Sequence, residues 1–142
     1  MVFPFEIVVG SEDETTEIAK SFSKCLNNGD VVLLNGDLGT GKTFFVKKIC
    51  SEFGIENVTS PSFTIVNEYH NKNKIFHFDF YRIKKSVELY DIGFEDYLTA
   101  AESIIFVEWA ELFPEVLPTK NYQVDFQIIN ESSRKIKIKK NE

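Results

Sequence analysis

The run Gly36-Asp37-Leu38-Gly39-Thr40-Gly41-Lys42-Thr43 has a G-x-x-x-x-G-K-T pattern, and residue types at that spacing bind phosphate. Glycines let the backbone curl so that successive N–H groups point inward at anionic oxygens. A helix beginning at the end of the run adds its positive terminus, Lys42 adds a mobile cation, and Thr43 offers a hydroxyl to Mg²⁺. The flanks have the order that distinguishes a working loop from a Gly-rich turn: apolar Val31-Val32-Leu33-Leu34 before it, helix-compatible Phe44 to Phe53 after it. The motif predicts binding of a nucleoside triphosphate.

Such a site needs a second acid on a neighbouring strand to complete the metal's surroundings. Ile104-Ile105-Phe106-Val107 runs directly into Glu108, which is therefore the predicted Walker-B-type carboxylate. Trp109 and Ala110 follow, so the adjacent second carboxylate with which many ATPases orient water is missing, and Glu111 is off by a turn of chain. The best substitute is Asp79 in His77-Phe78-Asp79-Phe80-Tyr81-Arg82, where alternation puts His77, Asp79 and Tyr81 opposite a row of Phe. Thr59-Ser60-Pro61-Ser62-Phe63 reads either as a plain turn or as a segment that senses the terminal phosphate. Trp109, the single Trp, reads as a core or interface anchor or as a site residue. Only Arg82 and Arg134 are available for an arginine finger in cis.

These residues need a frame. Phe5 to Val9 is predicted as a first strand. A helix follows, opened by Ser11 with Glu14 at capping-box spacing, apolar at Ile18, Phe22, Cys25 and Leu26, and ended by Asn28-Gly29. Phe63 to His70 and Ile75 to Arg82 form a hairpin about Asn71–Lys74, Ser86 to Ala101 reads as short helices broken near Gly93, and Ile104 to Val107 as a strand buried on both faces. Tyr122 to Ile129 and Arg134 to Lys140 form a final hairpin. The sum is an α/β three-layer P-loop NTPase fold, one domain over residues 1–142, with a mixed sheet that is parallel at its centre and has antiparallel additions.

Composition is that of an ordinary globular protein, 43% hydrophobic and 27% charged. No apolar run approaches the ~20 residues of a membrane span. Met1-Val2-Phe3-Pro4 does not resemble a signal peptide, and Cys25 and Cys50 form neither a disulfide framework nor a metal pattern. A cytoplasmic protein is expected. The net charge of −6 gives no overall attraction to nucleic acid. Lys135, Lys137, Lys139 and Lys140 alternate with Ile136 and Ile138, as in an edge strand shielded by lysine or a contact for tRNA or an acidic partner.

Together, Gly-Asp-Leu-Gly-Thr-Gly-Lys-Thr, Thr-Ser-Pro-Ser-Phe-Thr-Ile-Val-Asn-Glu-Tyr, His-Phe-Asp-Phe-Tyr-Arg and Val-Glu-Trp resemble the bacterial TsaE (YjeE) family. These are small P-loop ATPases required for threonylcarbamoyl modification of tRNA adenosine (t6A). The resemblance spans roughly Ser11 to Pro118. It implies partnership with TsaD and TsaB, with ATP hydrolysis resetting that complex between turnovers. It assigns Asp37, Leu38, Gly39, Thr40, Gly41, Lys42 and Thr43, with the Phe44 backbone, to ATP phosphates, and Thr43 and Glu108 to Mg²⁺. Lys42, Asp79 and Glu108 become the catalytic set, and Ser60, Pro61, Ser62, Phe63 and Trp109 the nucleotide- or partner-responsive elements. Glu12, Thr15 and Arg134 are placed near the nucleoside. The missing second carboxylate then implies slow hydrolysis until a partner completes the site.

Four positions depart from the family pattern: Phe44 for a second Thr, Ser62 for Thr, Glu102-Ser103 for Glu-Gly, and Ala110 for Pro. None touches Lys42, Thr43 or Glu108. Two other activities fit a P-loop: a small-molecule kinase, disfavoured by the scarcity of arginine and of any lid segment, and a docking module that nucleotide merely orders.

Overall fold

Val31–Asn35 (β2) is apolar at every position but its last, so it must be covered on both faces, and that demand sets the layers. The computed structural model describes residues 1–100 and 102–142. β2 lies at the middle of a seven-stranded sheet ordered β1-β7-β6-β2-β5-β4-β3. The other strands are Phe5–Val9 (β1), Val66–His70 (β3), Lys74–Asp79 (β4), Ser103–Glu108 (β5), Asn121–Ile128 (β6) and Arg134–Asn141 (β7). The four central strands β6, β2, β5 and β4 run parallel. β3 adds antiparallel at one edge, and β7 followed by β1 adds antiparallel at the other. This is the mixed sheet read from the sequence.

Helices Glu12–Ser23 (α1) and Lys42–Glu52 (α2) cover one face, packing Phe22, Phe45 and Ile49 on Val32, Leu34 and Phe106. Short helices Val87–Asp91 (α3) and Phe94–Thr99 (α4) cover the other face of the parallel half, with Leu89 and Phe94 against Phe76, Phe78 and Val107. The Phe78 and Phe94 rings meet edge-on, centroids 4.9 Å apart. Truncating any of these buried rings to Ala costs about 3–5 kcal/mol. β6, β7 and β1 contribute to the first core only; on their opposite face Glu6, Val8 and Gln127 are exposed.

Several boundaries differ from the sequence reading. α1 stops at Ser23, so Leu26 enters the core from the turn beyond it rather than from its face, and Cys25 is only half-buried there. Its start is as expected: the Ser11 hydroxyl accepts from Glu14 N–H, while the Glu14 carboxylate reaches back to Gly10 N–H. β3 begins at Val66, because Ser62–Thr64 form a turn closed by Ile65 N–H donating to Pro61. β4 ends at Asp79, which leaves Tyr81 and Arg82 in a turn. The two short helices break at Gly93 as expected; Ala101, the predicted end of that segment, lies outside the described residues.

The lysine-rich strand is the substantive correction. β7 is not an edge strand: it pairs with β6 on one side and with β1 on the other. Ile136 and Ile138 enter the core, Lys135 pairs with Glu6 at 2.6 Å, and Lys137 sits opposite Asp125. Cross-strand pairing of opposite charges, not edge protection, accounts for this alternation.

Candidate functional site

β2 delivers the chain to the carboxyl end of the parallel strands, where Gly36 starts the loop. A Cβ at Gly36 would lie 2.9 Å from both the Phe126 carbonyl and the Thr40 hydroxyl, so only glycine permits this close passage. The Asp37 carbonyl accepts from Thr40 N–H and Oγ1, closing the turn. Gly41 caps α2 at φ 103°, and no side chain caps that helix end. The first-turn N–H groups of α2 are thus left facing the loop, the arrangement that receives an anion.

Lys42, Thr43, Glu108, Asp79 and Trp109 line one cleft of about 360 Å³ with Ser60 and Ser62. β2, β4 and β5 run parallel, with Asp79 opposite Glu108 and Leu34 opposite Glu108 in register, so the strand carboxylates arrive beside the loop. The Thr43 hydroxyl lies 2.9 and 2.8 Å from the two Glu108 carboxylate oxygens. A hydroxyl that donates to a carboxylate keeps its own lone pairs free, so Thr43 and Glu108 together can hold a divalent cation. Among the described residues no cluster of three or more His, Cys, Asp or Glu could bind a metal alone. That donor set fits Mg²⁺, which takes one or two protein ligands and shares the rest with phosphates and water.

Lys42 is buried, with its ammonium donating to the Gly36 carbonyl and lying 3.6 Å from the centroid of the Trp109 ring. Burial lowers its pKa, opposed by Glu111 first and then by Glu108, Asp79 and Asp37. Trp109 leans on Tyr81, centroids 4.9 Å apart, and has φ 59°. Asp79 Oδ1 accepts from Tyr81 N–H at 2.8 Å, and burial raises the Asp79 carboxyl above the usual aspartate range. Ile65, at φ 70°, accepts from Asp79 N–H at 2.9 Å and so ties the Ser60–Ser62 segment to the same carboxylate strand. Positive φ at a β-branched or bulky residue is a strained geometry. Of these two residues Trp109 lines the cleft, while Ile65 packs against the core behind it.

A second cleft of about 400 Å³ continues over the loop, sharing Gly39, Gly41 and Phe44 with the first. Glu12, Thr15 and Arg134 line it, with Phe126 and Ile136 as apolar walls. The residues expected near phosphate and those expected near a nucleoside therefore occupy adjoining spaces. Leu38 lines the first cleft and is exposed, whereas Asp37 lines neither and its carbonyl serves the turn. Pro61 is buried. Phe63 is 81% exposed, outside both linings, with the Arg82 guanidinium 4.2 Å from its ring centroid.

Sequence reasoning passed over two residues. Glu111 accepts from Gly36 N–H at 3.2 Å and braces the loop's entry. His77 is fully buried with Nε2 2.6 Å from Glu108 Oε2. The polar row His77-x-Asp79-x-Tyr81 was visible, but the partner of His77 depends on how β4 pairs with β5.

The fold and site define a P-loop protein of the α/β class. Residues 9–136 match the family described as threonylcarbamoyl adenosine biosynthesis protein TsaE, and the chain belongs to that family. It is 40% identical over 135 residues to the tRNA threonylcarbamoyladenosine biosynthesis protein TsaE of Rickettsia typhi, covering 93% of this chain and 92% of the relative. Its identity to the protein of that description from Bacillus subtilis is 37% over 126 residues, covering 87% and 78%. The crystal structure of Bacillus subtilis YdiB superposes with a TM-score of 0.81 at 32% identity, covering 97% of this chain and 86% of that one.

Proposed function

We propose that this chain is a single-domain Mg²⁺-dependent ATPase that supports t6A modification of tRNA by acting on a TsaB–TsaD complex and permitting its repeated turnover. The observation that carries the reading is the convergence of Lys42, Thr43, Glu108 and Asp79 in one cleft that opens into a second cleft across the loop glycines.

In this reading the loop backbone and the α2 terminus hold the phosphates, and the second cleft takes the nucleoside between Phe126 and Arg134. Thr43 and Glu108 hold Mg²⁺, which neutralises charge developing on the phosphates. Lys42 would exchange its contacts with the Trp109 face and the Gly36 carbonyl for the phosphates. Asp79 orients the attacking water through Oδ2, since its Oδ1 accepts from Tyr81 N–H. With no second acid beside Glu108, unassisted hydrolysis is slow. The Ser60–Phe63 segment, with its exposed Phe63, faces the partner that completes the site.

A docking module without hydrolysis is the second reading, favoured by Trp109 and Ala110 standing where a second acid would follow Glu108. tRNA contact through β7 draws little support, since Lys135 and Lys137 already face Glu6 and Asp125. Among the described residues no helix is long and apolar enough to cross a membrane; the cytoplasmic location follows from the proposed action on tRNA. The deciding experiment is steady-state phosphate release from Mg·ATP, alone and with TsaB–TsaD. Slow release that rises with the pair supports the ATPase; release left unchanged favours the docking module.

A further inference from the structure

The geometry points to His77 as a positioning residue that fixes the orientation of the Glu108 carboxylate for the cation. The inference rests on the reading of Glu108 as a Mg²⁺ ligand. His77 and Glu108 lie on the same sheet face of adjacent parallel strands, His77 opposite Phe106 and Glu108 two residues further on. That face is the one packed by α2, which carries Thr43. His77 is 0% exposed and absent from the cleft lining, so it reaches the site only through Glu108.

The hydrogen bonds divide the work. Thr43 Oγ1 is nearly equidistant from the two carboxylate oxygens and therefore does not distinguish them. His77 Nε2, at 2.6 Å from Oε2, does. An ionised carboxylate accepts only, so the bonding proton sits on Nε2. The buried Nδ1 has no partner in the structure, and a bare lone pair there costs less than a stranded N–H. His77 thus donates once, to Oε2, and holds Oε1 as the oxygen presented to the cation. Outer groups of this kind hold a ligand's orientation, and their loss typically weakens metal binding by about 10- to 100-fold.

The test uses the whole chain and ADP as probe, with calorimetric affinity measured across a Mg²⁺ series for His77→Leu, His77→Gln, His77→Asn and Glu108→Gln. His77→Leu should raise the Mg²⁺ needed for half of the affinity gain about tenfold, while leaving Mg²⁺-free ADP affinity unchanged. Gln, whose amide nitrogen reaches the Nε2 position, should restore most of the gain, and Asn, which mimics Nδ1, should not. Equal behaviour of the Leu and Gln variants, or a wild-type Mg²⁺ series in a folded Leu variant, overturns the role of His77. If Glu108→Gln also leaves the series unchanged, the metal reading itself fails; if Glu108→Gln alone abolishes it, only His77 is overturned. Nitrogen-15 imidazole spectra of the unsubstituted chain give a check that needs no variant. Exposed His70 supplies the reference signal, and the proton of His77 should be found on Nε2. Its presence on Nδ1 overturns the proposal.

Discussion

The two halves of the proposed phosphate site are built differently. The loop half, Gly36 to Thr43, is contiguous in the chain, and its geometry follows from local backbone preferences: a crowded glycine at Gly36 and a left-handed cap at Gly41. The carboxylate half is assembled from β4, β5 and the turn after Pro61, segments that meet only through parallel pairing and a few long-range hydrogen bonds. A contiguous half can be specified by a motif. An assembled half depends on strand register, and a one-residue slip would turn Asp79 and Glu108 to the other face.

Lys42→Ala should break the loop half most severely. Loss of the proposed phosphate-binding cation should lower ATP turnover about 10²- to 10³-fold, while circular dichroism and the melting midpoint stay near wild type. Unchanged turnover would remove Lys42 from the site. Asp79→Asn probes the assembled half and should reduce turnover about 10²-fold. It should also raise Tm, because Asn keeps the acceptor for Tyr81 N–H and removes a carboxylate whose charged form burial disfavours. The sign follows from the raised folded-state pKa: the folded chain holds the Asp79 proton more tightly than the unfolded chain does. The charged group therefore costs stability above that pKa, and the cost is relieved as pH falls. The acid limb of turnover should lie above the usual aspartate range and vanish with Asp79.

Smaller effects sharpen the contrast. Gly36→Ala, which forces a Cβ to 2.9 Å from the Phe126 carbonyl, should cost about 1–3 kcal/mol by denaturant unfolding and weaken nucleotide binding with it. A neutral effect would show that the loop yields more than close backbone contact allows. Far from both halves, Lys135→Ala should leave Tm unchanged, since its partner Glu6 is exposed and surface pairs of this kind contribute little. A clear drop would mean that β7 depends on that pair.

Legibility tracks the same division. The strand before the loop, the helix after it and the buried run ending at Glu108 were all readable, because each signal lies within a few residues. Asp79 was readable as one of an alternating polar row, and the structure brings it into the cleft. The same alternation misled at the C-terminus: lysines spaced by two resemble a shielded edge whether or not another strand pairs there, and β1 does. The turn was readable at Ser62 and Phe63, but its extension through Thr64 lies in a stretch that reads as strand.

Sequence alone determined the loop motif with its Lys42 and Thr43, the buried strand that ends at Glu108, and the alternation that would place polar groups on one sheet face, because all of these follow from residue type and short spacing. Tertiary structure decided which polar groups meet. It set His77 on Glu108, Lys42 over Trp109, Glu111 on the loop entry, and the second cleft between α1 and the final hairpin. The physical reason is that these contacts join residues far apart in the chain. Their distances are set by strand order and register, which the buried apolar faces of the sheet specify collectively and no single segment specifies alone.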